Sequence, residues 1–158
     1  MFSQILLPAI IFVSSFACQQ DSKPSAITSD PAIVQEVKVS GSESSYTFAV
    51  TLKSPDTGCE QYANWWEVVS ADGKSLIYRR ILGHSHVNEQ PFTRSSGAVA
   101  IAADTEVIVR AHMYSSGYGE GLIAMKGSVA NGFIAYDAAL DFGSSLENAD
   151  PQPTGCAF

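Results

Sequence analysis

Basic residues are scarce in this chain. Nine Lys and Arg stand against sixteen Asp and Glu over 158 residues, a formal net charge of −7. The cationic footprint of a nucleic-acid binder is therefore missing, and close docking on an anionic membrane surface is opposed. Charged residues of either sign make up only 16% of the chain, against roughly a quarter in an average soluble domain, while 46% is hydrophobic. That balance excludes a disordered acidic tail and a highly charged helical rod. The short patterns of common enzymes are also absent: there is no Gly-x-Ser-x-Gly, no His-Glu-x-x-His, no Walker loop and no Cys-x-x-Cys. Ser85 lies between two histidines without an evident orienting carboxylate, so the chain is read as a non-enzyme. The length gives one domain, with no room for two ordinary cores.

Residues Met1 to Cys18 contain no Asp, Glu, Lys or Arg, and Ile5 to Val13 is apolar throughout. The apolar run is too short for a membrane span, which takes about 20 residues, but fits a signal-peptide core of roughly 7–15. The chain is expected to be exported. Small residues at Ser15 and Ala17 suit cleavage after Ala17, and Cys18 follows at once. Ser14-Ser15-Phe16-Ala17-Cys18 resembles the lipobox of bacterial lipoproteins, with Ser15 where Leu is usual and a bulky Phe16. The resemblance implies a diacylated Cys18 as the mature N-terminus and a membrane partner reached through that lipid. Plain secretion with Cys18 as a free thiol is the alternative. Residues 18–31, rich in Gln, Ser, Asp, Lys and Pro, read as a solvated tether. Gln19 rather than Asp after the cysteine implies the outer membrane if the cell is Gram-negative; without the lipid the protein is secreted or periplasmic.

The chain has three cysteines, and assigning Cys18 to the anchor leaves Cys59 and Cys156. In an oxidising compartment they form one disulfide closing a loop of about 97 residues, or remain two thiols.

Alternation with period two recurs, and helical periodicity is nearly absent. Tyr46, Phe48, Val50 and Leu52 share one face; Val107, Val109, Ala111 and Met113 repeat the pattern against Glu106, Ile108, Arg110 and His112. Each reads as a half-buried strand. Ala71-Asp72-Gly73 joins two further strands as a hairpin. With Ile33 to Val39, Val99 to Ile101 and Leu122 to Ala130, about seven strands are expected, an all-β, Ig-like antiparallel sandwich. Strand order, the hairpin after Trp65-Trp66, and Ala103 to Ala111 running into Gly117-Tyr118-Gly119 resemble a fibronectin type III domain. That resemblance implies a fold and no activity. The domain is placed at 32–136 and an extended acidic tail at 137–158, pinned by Cys156.

The three histidines are candidate ligands. The expected topology brings the end of the hairpin's second strand, and the end of the strand carrying His112, to one end of the sandwich. His84 and His86, two apart in extended backbone, point the same way and can share one Zn²⁺ or Cu²⁺ ion. Glu89 is a possible oxygen ligand, and Met113 is expected to turn into the core. The same loop end carries Asp56, Cys59 and Glu60, and its aromatic residues Tyr62, Tyr114 and Tyr118 form a candidate binding surface for an unknown protein or small ligand. Of Trp65-Trp66, one indole is expected in the core and one outside. One of Arg79-Arg80 is expected to pair with an acid such as Glu67. Two functions follow: a lipid-anchored extracytoplasmic interaction module, or a periplasmic metal-binding protein using His84, His86 and His112.

Overall fold

The computed structural model describes residues 30–157. The signal peptide, Cys18 and nearly all of the tether lie outside the described residues. Eight strands form: β1 (Ile33–Ser42), β2 (Ser45–Lys53), β3 (Ala63–Ser70), β4 (Leu76–Ile81), β5 (Phe92–Ser95), β6 (Val107–Met113), β7 (Gly121–Ser128) and β8 (Gly132–Ala138). One antiparallel sheet has the order β1-β2-β5 and the other β4-β3-β6-β7-β8, giving the expected all-β sandwich with one strand more.

The alternation sorts side chains as read. Phe48, Val50 and Leu52 of β2 face Trp66 and Val68 of β3 and Val107, Val109, Ala111 and Met113 of β6 in one core between the sheets. Burying each such large apolar side chain contributes about 1.5–3 kcal/mol. Gly73 turns the β3–β4 hairpin at φ +69°, a conformation that costs an L side chain and not glycine. A Cβ there would also come within 2.9 Å of the Phe142 ring.

Three expectations need correction. Val99 to Ile101 is no strand; Val99 makes a single bridge to Tyr46, and the partner of β2 is β5, a four-residue strand too short to show a period. β8 was not expected as a strand, and it crosses the 136/137 boundary assigned to the domain. Nor is the tail an extended strap. It folds through a 3-10 turn at Ser144–Leu146 and packs on the outer face of the five-stranded sheet. There Leu146 and Phe142 join Val69, Ile108 and Ile123 in a second core, so β6 is buried on both faces rather than half-buried.

Beneath the tail lies an ionic cluster. Glu67, fully buried, accepts from Arg79 Nε at 2.8 Å on one carboxylate oxygen. Its other oxygen accepts from Arg110 Nε at 2.8 Å and from the Tyr118 hydroxyl at 2.7 Å. Two guanidiniums face one carboxylate, so one positive charge is left over in a buried site, which is costly without further partners. Tail carbonyls supply them. Arg79 donates to Leu146 O at 2.7 Å and to Ala149 O, and Arg110 donates to Gly143 O at 2.9 Å and to Phe142 O. Arg79 also lies 4.4 Å above the Trp65 ring and Arg110 3.6 Å above that of Tyr118. The excess charge thereby ties the tail to the sheet.

Candidate functional site

The site is built on the connection from β4 to β5. Pairing of β3 with β4 sets Trp65 opposite Ile81, so the chain leaving β4 emerges beside the start of β3. Pairing of β3 with β6 sets Ala63 opposite Met113 and brings the end of β6 to the same end of the sandwich. The expected gathering of loops at one end is therefore present.

It brings together three of the four proposed metal ligands. One donor atom from each of His84, His86 and Glu89 lies within 4.8 Å of the others. His84 and Glu89 are exposed, whereas His86 is only 2% exposed. The His86 ring lies flat on Phe92, centroids 3.7 Å apart and planes 5° apart, with the His84 ring 4.4 Å away. Neither ring nitrogen of His86 has a hydrogen-bond partner among the described residues. Burial pushes its pKa down to about 4, helped by the Arg94 and His84 charges. The ring is neutral at pH 7, the form that ligates metal. Arg94 donates to Glu89 Oε2 at 2.8 Å, and this hydrogen bond and the arginine charge lower the carboxylate's pKa. Around a tetrahedral ion with bonds of about 2.0–2.2 Å, donors sit roughly 3.3 Å apart.

His112 does not join them. It shares their end of the sandwich but points to the outer face of the sheet, beneath the tail. There it stacks on Trp65 at 3.7 Å, with Nδ1 2.7 Å from Asn64 Oδ1 and Nε2 3.3 Å from Glu147. A neutral ring satisfies both contacts when it donates from Nε2 to Glu147 and the Asn64 amide is turned to donate to Nδ1. Desolvation lowers the His112 pKa to about 4 and outweighs the pull of Glu147. The period-two pattern places residues on faces correctly, but it cannot say that the far face is covered. Met113 is in the inner core, as expected.

The tyrosines also separate. Tyr118 is buried in the Glu67 cluster, and both burial and the adjacent carboxylate push its phenol pKa upward. Tyr62 is buried against Tyr114, ring centroids 5.7 Å apart, and Tyr114 alone is open, at 57% exposure. Tyr62 and Tyr114 line a cleft of about 410 Å³ with Glu60 and the Cys59–Cys156 disulfide. That disulfide forms as expected, with Cα atoms 5.6 Å apart across 97 residues of sequence. Trp66 is the core indole; Trp65 is buried under the tail rather than exposed, and Arg79 has the Glu67 partner expected of one arginine.

Sequence reasoning missed Phe92 and Arg94 as supports of the site. Arg94 follows Glu89 by five residues, a spacing that carries no signal in a loop.

Comparison with known proteins finds one similarity of note. A protein of Halomicrobium mukohataei described as "Putative lipoprotein" is 42% identical over 72 residues, covering 46% of this chain. The matched part spans about a third of that protein's length, 35%. No protein family and no solved structure matches the chain.

Proposed function

We propose that this chain is an exported, lipid-anchored β-sandwich that binds a divalent transition metal, Zn²⁺ or Cu²⁺, through His84, His86 and Glu89. The observation carrying the metal reading is His86: a buried ring without hydrogen-bond partners, set between two further donors within 4.8 Å. A buried polar group left unpaired costs free energy, and a metal ion satisfies the lone pair of a neutral imidazole. Three protein ligands leave a fourth position open to water or to a ligand presented by a partner. The interaction-module reading thereby gains a chemistry, a coordinating group offered at the loop end. The protein is read as a binder and not an enzyme, in keeping with the lack of a nucleophile-and-base motif in the sequence. The lipid anchor at Cys18 is supported by the lipobox-like segment and by the description of the Halomicrobium relative.

The test is calorimetric titration of metal-stripped protein with Zn²⁺ and with Cu²⁺, beside His84→Ala and His84→Ala/His86→Ala variants. One equivalent is expected to bind. The exposed His84 is replaced without disturbing the core, and that change should weaken binding at least about tenfold; the double change should abolish it. Uptake by the wild type no greater than by the double variant would overturn the reading.

A further inference from the structure

We infer that Asp56 and the Cys59–Cys156 disulfide are positioning residues of the metal site, holding the His84-Ser85-His86 segment in its binding geometry from two sides. This inference rests on the metal reading above.

The segment lies outside both sheets, so the ladder does not fix it. Two holds do. On one side the buried Asp56 carboxylate accepts the His86 backbone N–H on Oδ2 at 2.8 Å. Its Oδ1 accepts the Ser54 hydroxyl at 2.6 Å and the Ala63 N–H at 2.9 Å, which locks the carboxylate to the start of β3. Oδ2 also stands 3.8 Å from His86 Nδ1. At that distance the carboxylate acts through its charge and not through a hydrogen bond, and it favours the proton on Nδ1, which leaves the Nε2 lone pair for metal. Gln90 reinforces this side: its amide donates to His86 O at 3.1 Å and accepts from Ser54 N at 2.9 Å.

On the other side the Ala157 N–H donates to Gly83 O at 2.7 Å, and Ala157 pairs with His84 in a parallel bridge. Ala157 lies outside the eight strands, so no ladder fixes it. Cys156, its neighbour, supplies the tie: it is bonded to Cys59, in the same 54–61 loop that Asp56 organises. The disulfide thus links the two holds, with the histidine segment between them. Ligands held in place before binding lose less freedom when the ion arrives, so affinity should fall when either hold is released.

The experiment measures Zn²⁺ affinity of the full-length protein as wild type, Asp56→Asn and Cys59→Ser/Cys156→Ser. Far-UV circular dichroism and melting are recorded for each, and affinities are taken below the lowest melting transition. The expected result is a 10–100-fold loss of affinity in each variant at unchanged one-to-one stoichiometry and unchanged strand content. In the Cys59→Ser/Cys156→Ser protein, faster hydrogen exchange at Ala157 should accompany the loss. In Asp56→Asn, the ¹⁵N shifts of the free His86 ring should report a changed tautomer balance, which a purely structural role would not produce. Wild-type affinity in the folded Cys59→Ser/Cys156→Ser or Asp56→Asn protein overturns this inference while leaving the metal site standing. Absence of Zn²⁺ binding by wild type overturns the metal reading itself.

Discussion

Glu67 is the residue on which the outer face depends. Its carboxylate is the only acidic side chain paired with Arg79 and Arg110 among the described residues, and removing its charge leaves two buried guanidiniums without a counter-charge. Breaking a buried pair from one side costs about 3–5 kcal/mol. Glu67→Gln should therefore lower the unfolding free energy in urea by about that amount; a loss under about 1 kcal/mol would mean that the tail carbonyls alone solvate both arginines. His112 sets a pH dependence. Its folded pKa is depressed to about 4 by desolvation, below the ordinary value of 6.5. The unfolded chain therefore takes up the proton first as pH falls. Stability from this group is full above about pH 6.5, declines toward pH 4 at up to about 1.4 kcal/mol per pH unit, and levels off below. In His112→Gln this part of the decline should vanish from urea melts recorded across that window; an unchanged slope would contradict the assignment. The pairing of one arginine with an acid such as Glu67 was legible because adjacent residues of a strand cannot both face solvent on a covered sheet. That His112 belonged to the tail and not to His86 was not legible, since it depends on what covers the far face.

At the scale of elements, the tail decides more than its composition suggests. Its Pro and acidic residues read as an extended strap, yet Leu146 and Phe142 close a second core and its carbonyls answer buried charge. Leu146→Ala should destabilise the protein by about 2 kcal/mol, the lower end for a buried leucine because the site is at an edge. Amide exchange should rise in residues 142–152 before it rises in β2. Uniform acceleration across both would show that the tail and the sandwich open as one unit. Strands β2 and β6 were readable because their alternation is strict and their inner faces are apolar. β8 was not, since it is largely exposed, with only Ala138 buried, and it is a strand because it pairs with β7 rather than because of a period of its own.

At the scale of the whole molecule, the proposed metal ligands and the proposed anchor lie at distant points of the sequence, the tether being near the start of the chain. Two acyl chains on Cys18 would make attachment stable where one is marginal. Mass spectrometry of the exported protein should then find a chain beginning at a diacylated Cys18. An unmodified N-terminus there would establish plain secretion and leave the loop-end site unaffected.

The sequence by itself determined that the body is an antiparallel sandwich, because period-two alternation dictates which side chains a strand can bury together. It also determined that His84 and His86 lie close, because two residues apart in an extended segment share a side. Only the tertiary structure decided that Cys59 meets Cys156, that the tail seals the sheet, and that Glu89 rather than His112 completes the histidine group. The first two join residues far apart in the chain, and the last turns on His112 facing the far side of a sheet. Such contacts are chosen by the burial of surfaces and charges that local pattern does not record.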